Sequence, residues 1–197
     1  MLLLVDNHDS FTWNLVELLR RNSKVSFKIR MPEQLGMDEI DRFDRIIFSP
    51  GPGLPEEHPM MYEIIKKTME IHTNNGKKIP VFGVCLGMQA IAQFFGGRLM
   101  NLSQVVHGQP RGLKIMKPEY CLFQGIPDNT PVGLYHSWAV DPSTLPASLK
   151  VIARSDDGTI MGLAHQLLPI CGVQFHPESV MTPEGARMLN NWLDRAF

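Results

Sequence analysis

Residues 79–95 set the apolar run IPVFGV directly against a helix-period segment that ends at Phe95, with no spacer and with Cys85 at the junction. A short run that is apolar at every position is the pattern of a strand covered on both faces, and such strands belong to parallel sheets. The same alternation recurs through the first half of the chain. LLLV (2–5) precedes an amphipathic stretch over 11–21, where Phe11, Leu15, Leu18 and Leu19 recur at helical spacing and Asp9 or Ser10 is placed to cap. VSFKI (25–29) and RIIFS (45–49) supply two more strands, and a helix is expected over 59–73, ended by Asn74, Asn75 and Gly76. The expected fold is α/β, an open and mostly parallel sheet with helices on both faces.

From Arg98 onward the pattern changes to short strand candidates punctuated by Pro and Gly: GLKIM, VGLYHS, LKVIARS, TIMGLAHQ and CGVQF, with SDDGT as a hairpin turn. This predicts an antiparallel extension of the parallel core. The last segment reads as one helix with Thr182 as N-cap and Pro183 at the first helical position, carrying Met188, Leu189, Trp192 and Leu193 on one side as far as Phe197. There are no repeats, low-complexity tracts or long linkers, so one domain over 1–197 is expected.

Composition narrows the function classes. With 19 basic and 20 acidic residues and a formal net charge of -1, the chain is not built to bind nucleic acid or an anionic membrane. The apolar start MLLLV stops at Asp6 with no basic segment before it, which fits a buried first strand better than a signal peptide. No run approaches the roughly 18 apolar residues of a membrane span. Cys85, Cys121 and Cys171 lie far apart without C-x-x-C spacing, which suits a reducing cytoplasm and leaves any functional cysteine to act alone. No metal site is expected.

Gly83, Cys85 and Gly87 form G-x-C-x-G between strand and helix, the pattern of a nucleophile elbow with sulfur in place of oxygen. Glycines let the chain turn tightly, and a helix N-terminus favours thiolate over thiol. Alone, Cys85 reads equally well as a small apolar residue ending a core strand. A base and an oxyanion site decide between the two. In GVQFHPES (172–179), His176 follows a strand and Glu178 lies two residues on, with Pro177 stopping the strand between them. That pairs an imidazole with an orienting carboxylate; His8, His107, His136 and His165 are the rival bases. In RIIFSPGPGLPEE (45–57), Gly51 and Gly53 stand among Pro50, Pro52 and Pro55 after a strand. The amides of Gly53 and Leu86 are the expected oxyanion donors.

SPGPG, GVCLGMQ and GVQFHPES, in that order, resemble the class I (triad-type) glutamine amidotransferase domain, and the resemblance covers the whole chain. It implies a flavodoxin-like core, with Cys85 attacking the side-chain amide of L-glutamine, His176 protonating the leaving ammonia and Glu178 orienting His176. It further implies glutamine contacts at Gly51, Pro52, Gly53, Leu86, Gln89, Ser137 and Trp138, and no cofactor. Gln89 also lies one helical turn beyond Cys85, where it can face the same pocket. The opening DNHDSFTWNL and the HPES match suggest the branch that serves chorismate, anthranilate synthase component II or the glutaminase component of aminodeoxychorismate synthase. Met88 and Trp138 depart from that branch; Met88 looks more like the domains of histidine, GMP or CTP synthesis.

Ammonia released to water at neutral pH is mostly protonated, so a partner must receive it directly. The resemblance implies a separate chorismate-binding synthase subunit in a hetero-oligomer, docked around the triad with the loops near DNHDSF, and a subunit that is slow until docked. Two readings compete. A stand-alone γ-glutamyl or deglycase-like cysteine hydrolase would cleave γ-glutamyl peptides without a partner. A non-enzymatic flavodoxin-like binding module would have no need of Cys85, His176 and Glu178 together.

Overall fold

The computed structural model describes residues 1–22 and 24–196, apart from the side chains of 103–107. Nine strands form one sheet: β1 (Leu2–Val5), β2 (Phe27–Arg30), β3 (Arg45–Phe48), β4 (Val81–Val84), β5 (Leu99–Ile115), β6 (Thr130–Val140), β7 (Leu149–Ser155), β8 (Ile160–His165) and β9 (Ile170–Val173). Their order is β2-β1-β3-β4-β9-β8-β7-β5-β6. Pairing is parallel from β2 through β9 and antiparallel from β9 through β6, so β9 is the seam between the two halves. The expected parallel core with an antiparallel extension is the observed architecture.

Alternation along the strands explains why both faces are covered. Leu2 and Leu4 of β1 pack with Leu15, Val16 and Leu19 of α1 (Thr12–Arg21) and with Met188, Leu189 and Trp192 of α4 (Gly185–Leu193). Leu3 and Val5 face the other way, onto Met61, Ile64 and Ile65 of α2 (Met60–Asn75) and Leu86, Ala90 and Ile91 of α3 (Leu86–Phe94). Gly76 ends α2 in the left-handed region at φ 74°, with its amide on His72 O, as Asn-Asn-Gly predicts. The SDDGT hairpin also forms: Ser155 N–H donates to Thr159 O at 3.0 Å.

Three expectations need correction. Strand β5 begins at Leu99, far ahead of GLKIM, because its first part pairs only with β6 and its register shifts between Asn101 and Val106 and between His107 and Gln109. Those bulges break the two-residue period by which a strand is read. Helix α4 runs from Gly185, with Glu184 at the N-cap, only to Leu193, short of Phe197, which lies outside the described residues; Thr182 instead donates to His176 O at 2.7 Å and accepts from Gly133 N–H at 3.0 Å. Its hydroxyl ties a loop to a strand rather than capping a helix. At α1 the N-cap is Phe11: Asp9 Oδ1 accepts from the Phe11 amide at 2.6 Å in the preceding turn, and Ser10 is exposed.

Candidate active site

Cys85 stands between β4 and α3, as the N-cap of α3. Its backbone sits at φ 51° and ψ -101°, a conformation that a side chain carries only under strain. Two hydrogen bonds hold it there: Cys85 N–H donates to Val173 O of β9 at 2.8 Å, and Cys85 O accepts from Gln89 N–H at 3.1 Å. The glycines of the elbow answer to close backbone approach. A Cβ on Gly83 would lie 2.4 Å from the Gly87 carbonyl carbon, and one on Gly87 would lie 2.7 Å from Phe48 Cβ. The turn therefore places the thiol at the N-terminus of α3, where unpaired amides and the helix dipole favour an anion.

His176 lies just past the end of β9. Its N–H donates to Gly133 O of β6 at 3.1 Å, and its carbonyl is held by Thr182. Nδ1 is 2.7 Å from Glu178 Oε1, both side chains being almost fully buried, so Nδ1–H donates to the carboxylate and Nε2 is left as the reactive nitrogen. Nε2 is buried with no hydrogen-bond partner among the described residues. Burial alone would lower the His176 pKa, but the neighbouring Cys85 and Glu178 outweigh it and raise it to about 10. Phe11 and Tyr135 pack edgewise on the ring at 5.2 and 4.9 Å between centroids.

The SPGPG loop is fixed from behind. Asn7 donates to Ser49 through its backbone amide at 2.9 Å and through its side chain at 3.0 Å, and Gly53 sits at φ 70°. Neither the Gly53 nor the Leu86 amide donates to a described residue. A cavity of about 200 Å³ opens between this loop and β6, lined by Gly51, Pro52, Gly53, Cys85, Leu86 and Gln89 on one side and by the 135–138 segment of β6 on the other. All seven expected glutamine contacts, Ser137 and Trp138 included, thus line one cavity with Cys85. His176 and Glu178 are not on its wall.

The remaining candidates fall away from this cluster. Cys121 and Cys171 are buried free thiols in the core, and burial pushes Cys171 up to about 12, against ionisation. His8 is exposed and faces Glu33 at 3.3 Å. His165 caps the turn at Leu167 and Leu168, and the side chain of His107 lies outside the described residues. Met88 is fully buried among Ala92, Val140 and Leu163, so its departure from the chorismate branch concerns the core and not the cavity. Among the described residues no group of acids, histidines and cysteines is gathered to hold a metal ion.

Sequence reasoning missed Tyr135 and Gln174, and placed His136 only as a rival base. Tyr135 and His136 line the cavity beside Ser137, and Tyr135 Oη lies 3.0 Å from Ser179 Oγ. His136 Nδ1 donates to Trp138 O at 2.9 Å, and burial lowers the His136 pKa, keeping the ring neutral. Gln174 is fully buried, and its Nε2 lies 3.3 Å from Cys85 Sγ. The available signal was the two-residue spacing that puts Gln174 and His176 on the same side of an extended chain.

The sequence profile of the family described as glutamine amidotransferase class-I matches residues 3–196. The chain belongs to that family. Among the relatives of this amidotransferase, the aminodeoxychorismate/anthranilate synthase component 2 of Bacillus subtilis is 39% identical over 196 residues, covering 98% of this chain and 96% of the relative. Anthranilate synthase component 2 of Mycobacterium tuberculosis is 39% identical over 195 residues, covering 98% and 81%. The crystal structure of a GMP synthase component from Thermoplasma acidophilum matches the amidotransferase fold with a TM-score of 0.83 at 25% identity, covering 98% of this chain and 91% of that one.

Proposed function

We propose that this chain, as a single domain over 1–197, is a glutaminase subunit that forms a thioester at Cys85 and passes ammonia to a chorismate-using synthase subunit. The observation that carries the reading is that Cys85, at a helix N-terminus, lines one cavity with the SPGPG loop and with Tyr135, whose ring packs edgewise at 4.9 Å on the Glu178-bound imidazole of His176. The Cys85 thiolate attacks the side-chain amide carbon of glutamine, and the oxyanion that develops takes the amides of Gly53 and Leu86. His176 gives its Nε2 proton to the nitrogen, the carbon–nitrogen bond breaks, and ammonia leaves a γ-glutamyl thioester. Neutral His176 then takes a proton from water as it attacks the thioester, releasing glutamate and restoring the thiolate and imidazolium. Glu178 holds the ring with Nε2 toward the sulfur throughout.

The acceptor assignment rests on the relatives, which are named for anthranilate and aminodeoxychorismate synthesis. Two exposed apolar side chains support a partner docked at this end of the sheet: Trp13 at the start of α1 is 60% exposed, and Val180, two residues beyond Glu178, is 96% exposed. The three cysteines are free thiols, which supports the reducing cytoplasm as the compartment. No helix among the described residues is long and apolar enough to cross a membrane.

The test is the complex with its synthase subunit, given chorismate and either glutamine or an ammonium salt. Cys85→Ala is expected to abolish synthesis from glutamine and to leave synthesis from ammonium intact. Retained use of glutamine overturns the nucleophile, and failure of every chorismate-using partner to accept the ammonia overturns the acceptor.

A further inference from the structure

Gln174 sits between β9 and His176 with no part in the steps above, although its side chain is fully buried and reaches the reacting sulfur. Its orientation is fixed from a distance by backbone. Trp138 O, on β6, can only accept, and it takes a hydrogen bond from Gln89 Nε2 at 2.8 Å. The second N–H of the same Gln89 nitrogen points at Gln174 Oε1, 3.1 Å away. With its oxygen committed to Gln89, Gln174 must turn its nitrogen to Cys85, and Nε2 lies 3.3 Å from Sγ. Turning the Gln174 amide over would set two donors face to face at Gln89 and an oxygen against the sulfur. Turning both amides over would set an oxygen against Trp138 O. One polarity survives: Trp138 carbonyl, Gln89 amide, Gln174 amide, Cys85 sulfur.

We propose that Gln174 is a catalytic residue whose side-chain N–H donates to Cys85 Sγ, holding the sulfur as a thiolate aimed at the glutamine cavity. The role follows from what burial removes. Cys85 is 7% exposed, so a thiolate there has lost most of its water and needs donors from the protein. The helix N-terminus supplies a field and His176 a charge, while Gln174 supplies a directed hydrogen bond, the kind that strengthens when its acceptor is ionised. The bond also restrains rotation of the sulfur about the strained elbow. Gln89 gains a second role in the same chain: with both N–H groups in use, the amide offers the cavity only its oxygen, an acceptor for N–H groups of the substrate.

The inference rests on Cys85 being the nucleophile, and the test separates the two. The full chain is alkylated with iodoacetamide across the thiol titration range, and modification of Cys85 is followed by peptide mass spectrometry. Gln174→Glu keeps the acceptor that Gln89 requires and removes the donor to sulfur; Gln174→Met removes both. In both variants the midpoint of Cys85 alkylation is expected to move to higher pH, further for Gln174→Glu. Glutamine turnover is expected to fall about 10- to 100-fold, the range of a hydrogen bond to a charged group, with KM changed much less. A readout independent of any variant's folding is the Gln174 side-chain amide resonance of the wild-type chain, which is expected to titrate with Cys85 and to stop doing so in Cys85→Ala. An unchanged alkylation midpoint in a folded variant, or a Gln174 resonance indifferent to Cys85 ionisation, overturns the role of Gln174. Glutamine hydrolysis that survives Cys85→Ala overturns the parent assignment instead.

Discussion

At the scale of single residues, the chemistry depends on one ion pair that folding creates. His176 and Glu178 are buried together, and Cys85 and Glu178 hold the imidazole's pKa near 10 in spite of burial, against an ordinary value of 6.5. Because the folded pKa is the higher one, the protonated ring stabilises the fold fully below pH 6.5, and that contribution is lost as pH rises through about 10. The stability difference between wild type and Glu178→Gln in urea denaturation is therefore expected to shrink as pH climbs through this window. A difference independent of pH would show that the pair is uncharged. Residue types at the site were legible in sequence because the chemistry needs them at fixed spacings, as with Cys85 between glycines and Glu178 two beyond His176. For Gln174 the sequence offered only its two-residue spacing from His176, which says nothing of the sulfur until Gln89 and Trp138, distant in the chain, are brought to it.

At the scale of elements, strands and helices of the first half were readable to within a few residues because burial on both faces leaves short, uninterrupted apolar runs. The errors fall where a residue's hydrogen bonds go somewhere the local sequence does not announce. Thr182 looks like an N-cap before Pro183, yet its hydroxyl bridges His176 O and Gly133 N–H and so fixes the His176 loop to β6. Thr182→Val keeps the shape and strands the buried Gly133 N–H, whereas His176 O keeps the Ser179 N–H at 3.1 Å, so a loss of about 1–3 kcal/mol is expected. Chemical denaturation measures it. Since the His176 loop is not on the cavity wall, kcat should fall more than KM rises; a change confined to KM would mean that the loop positions substrate rather than the base.

At the scale of the whole molecule, the site exists because the sheet changes direction at β9. The parallel half brings the ends of β3, β4 and β9 together, which delivers the SPGPG loop, Cys85 and His176 to one edge, as open α/β sheets do with their ligand crevices. The antiparallel half then returns β6 so that Tyr135, Ser137 and Trp138 close the cavity from the other side and Gly133 O receives the His176 amide. The first half of that arrangement was readable from the strand and helix pattern, whereas the second was implied only by the family resemblance, which put Ser137 and Trp138 at the site, because β6 lies at the far edge of the strand order. The most direct measurement of the central claim is intact-mass and peptide analysis of the wild-type complex quenched in acid during turnover of glutamine. A γ-glutamyl adduct on Cys85, absent in Cys85→Ala, is the expected result; turnover with no adduct on any cysteine, or an adduct on Cys121 or Cys171, contradicts it.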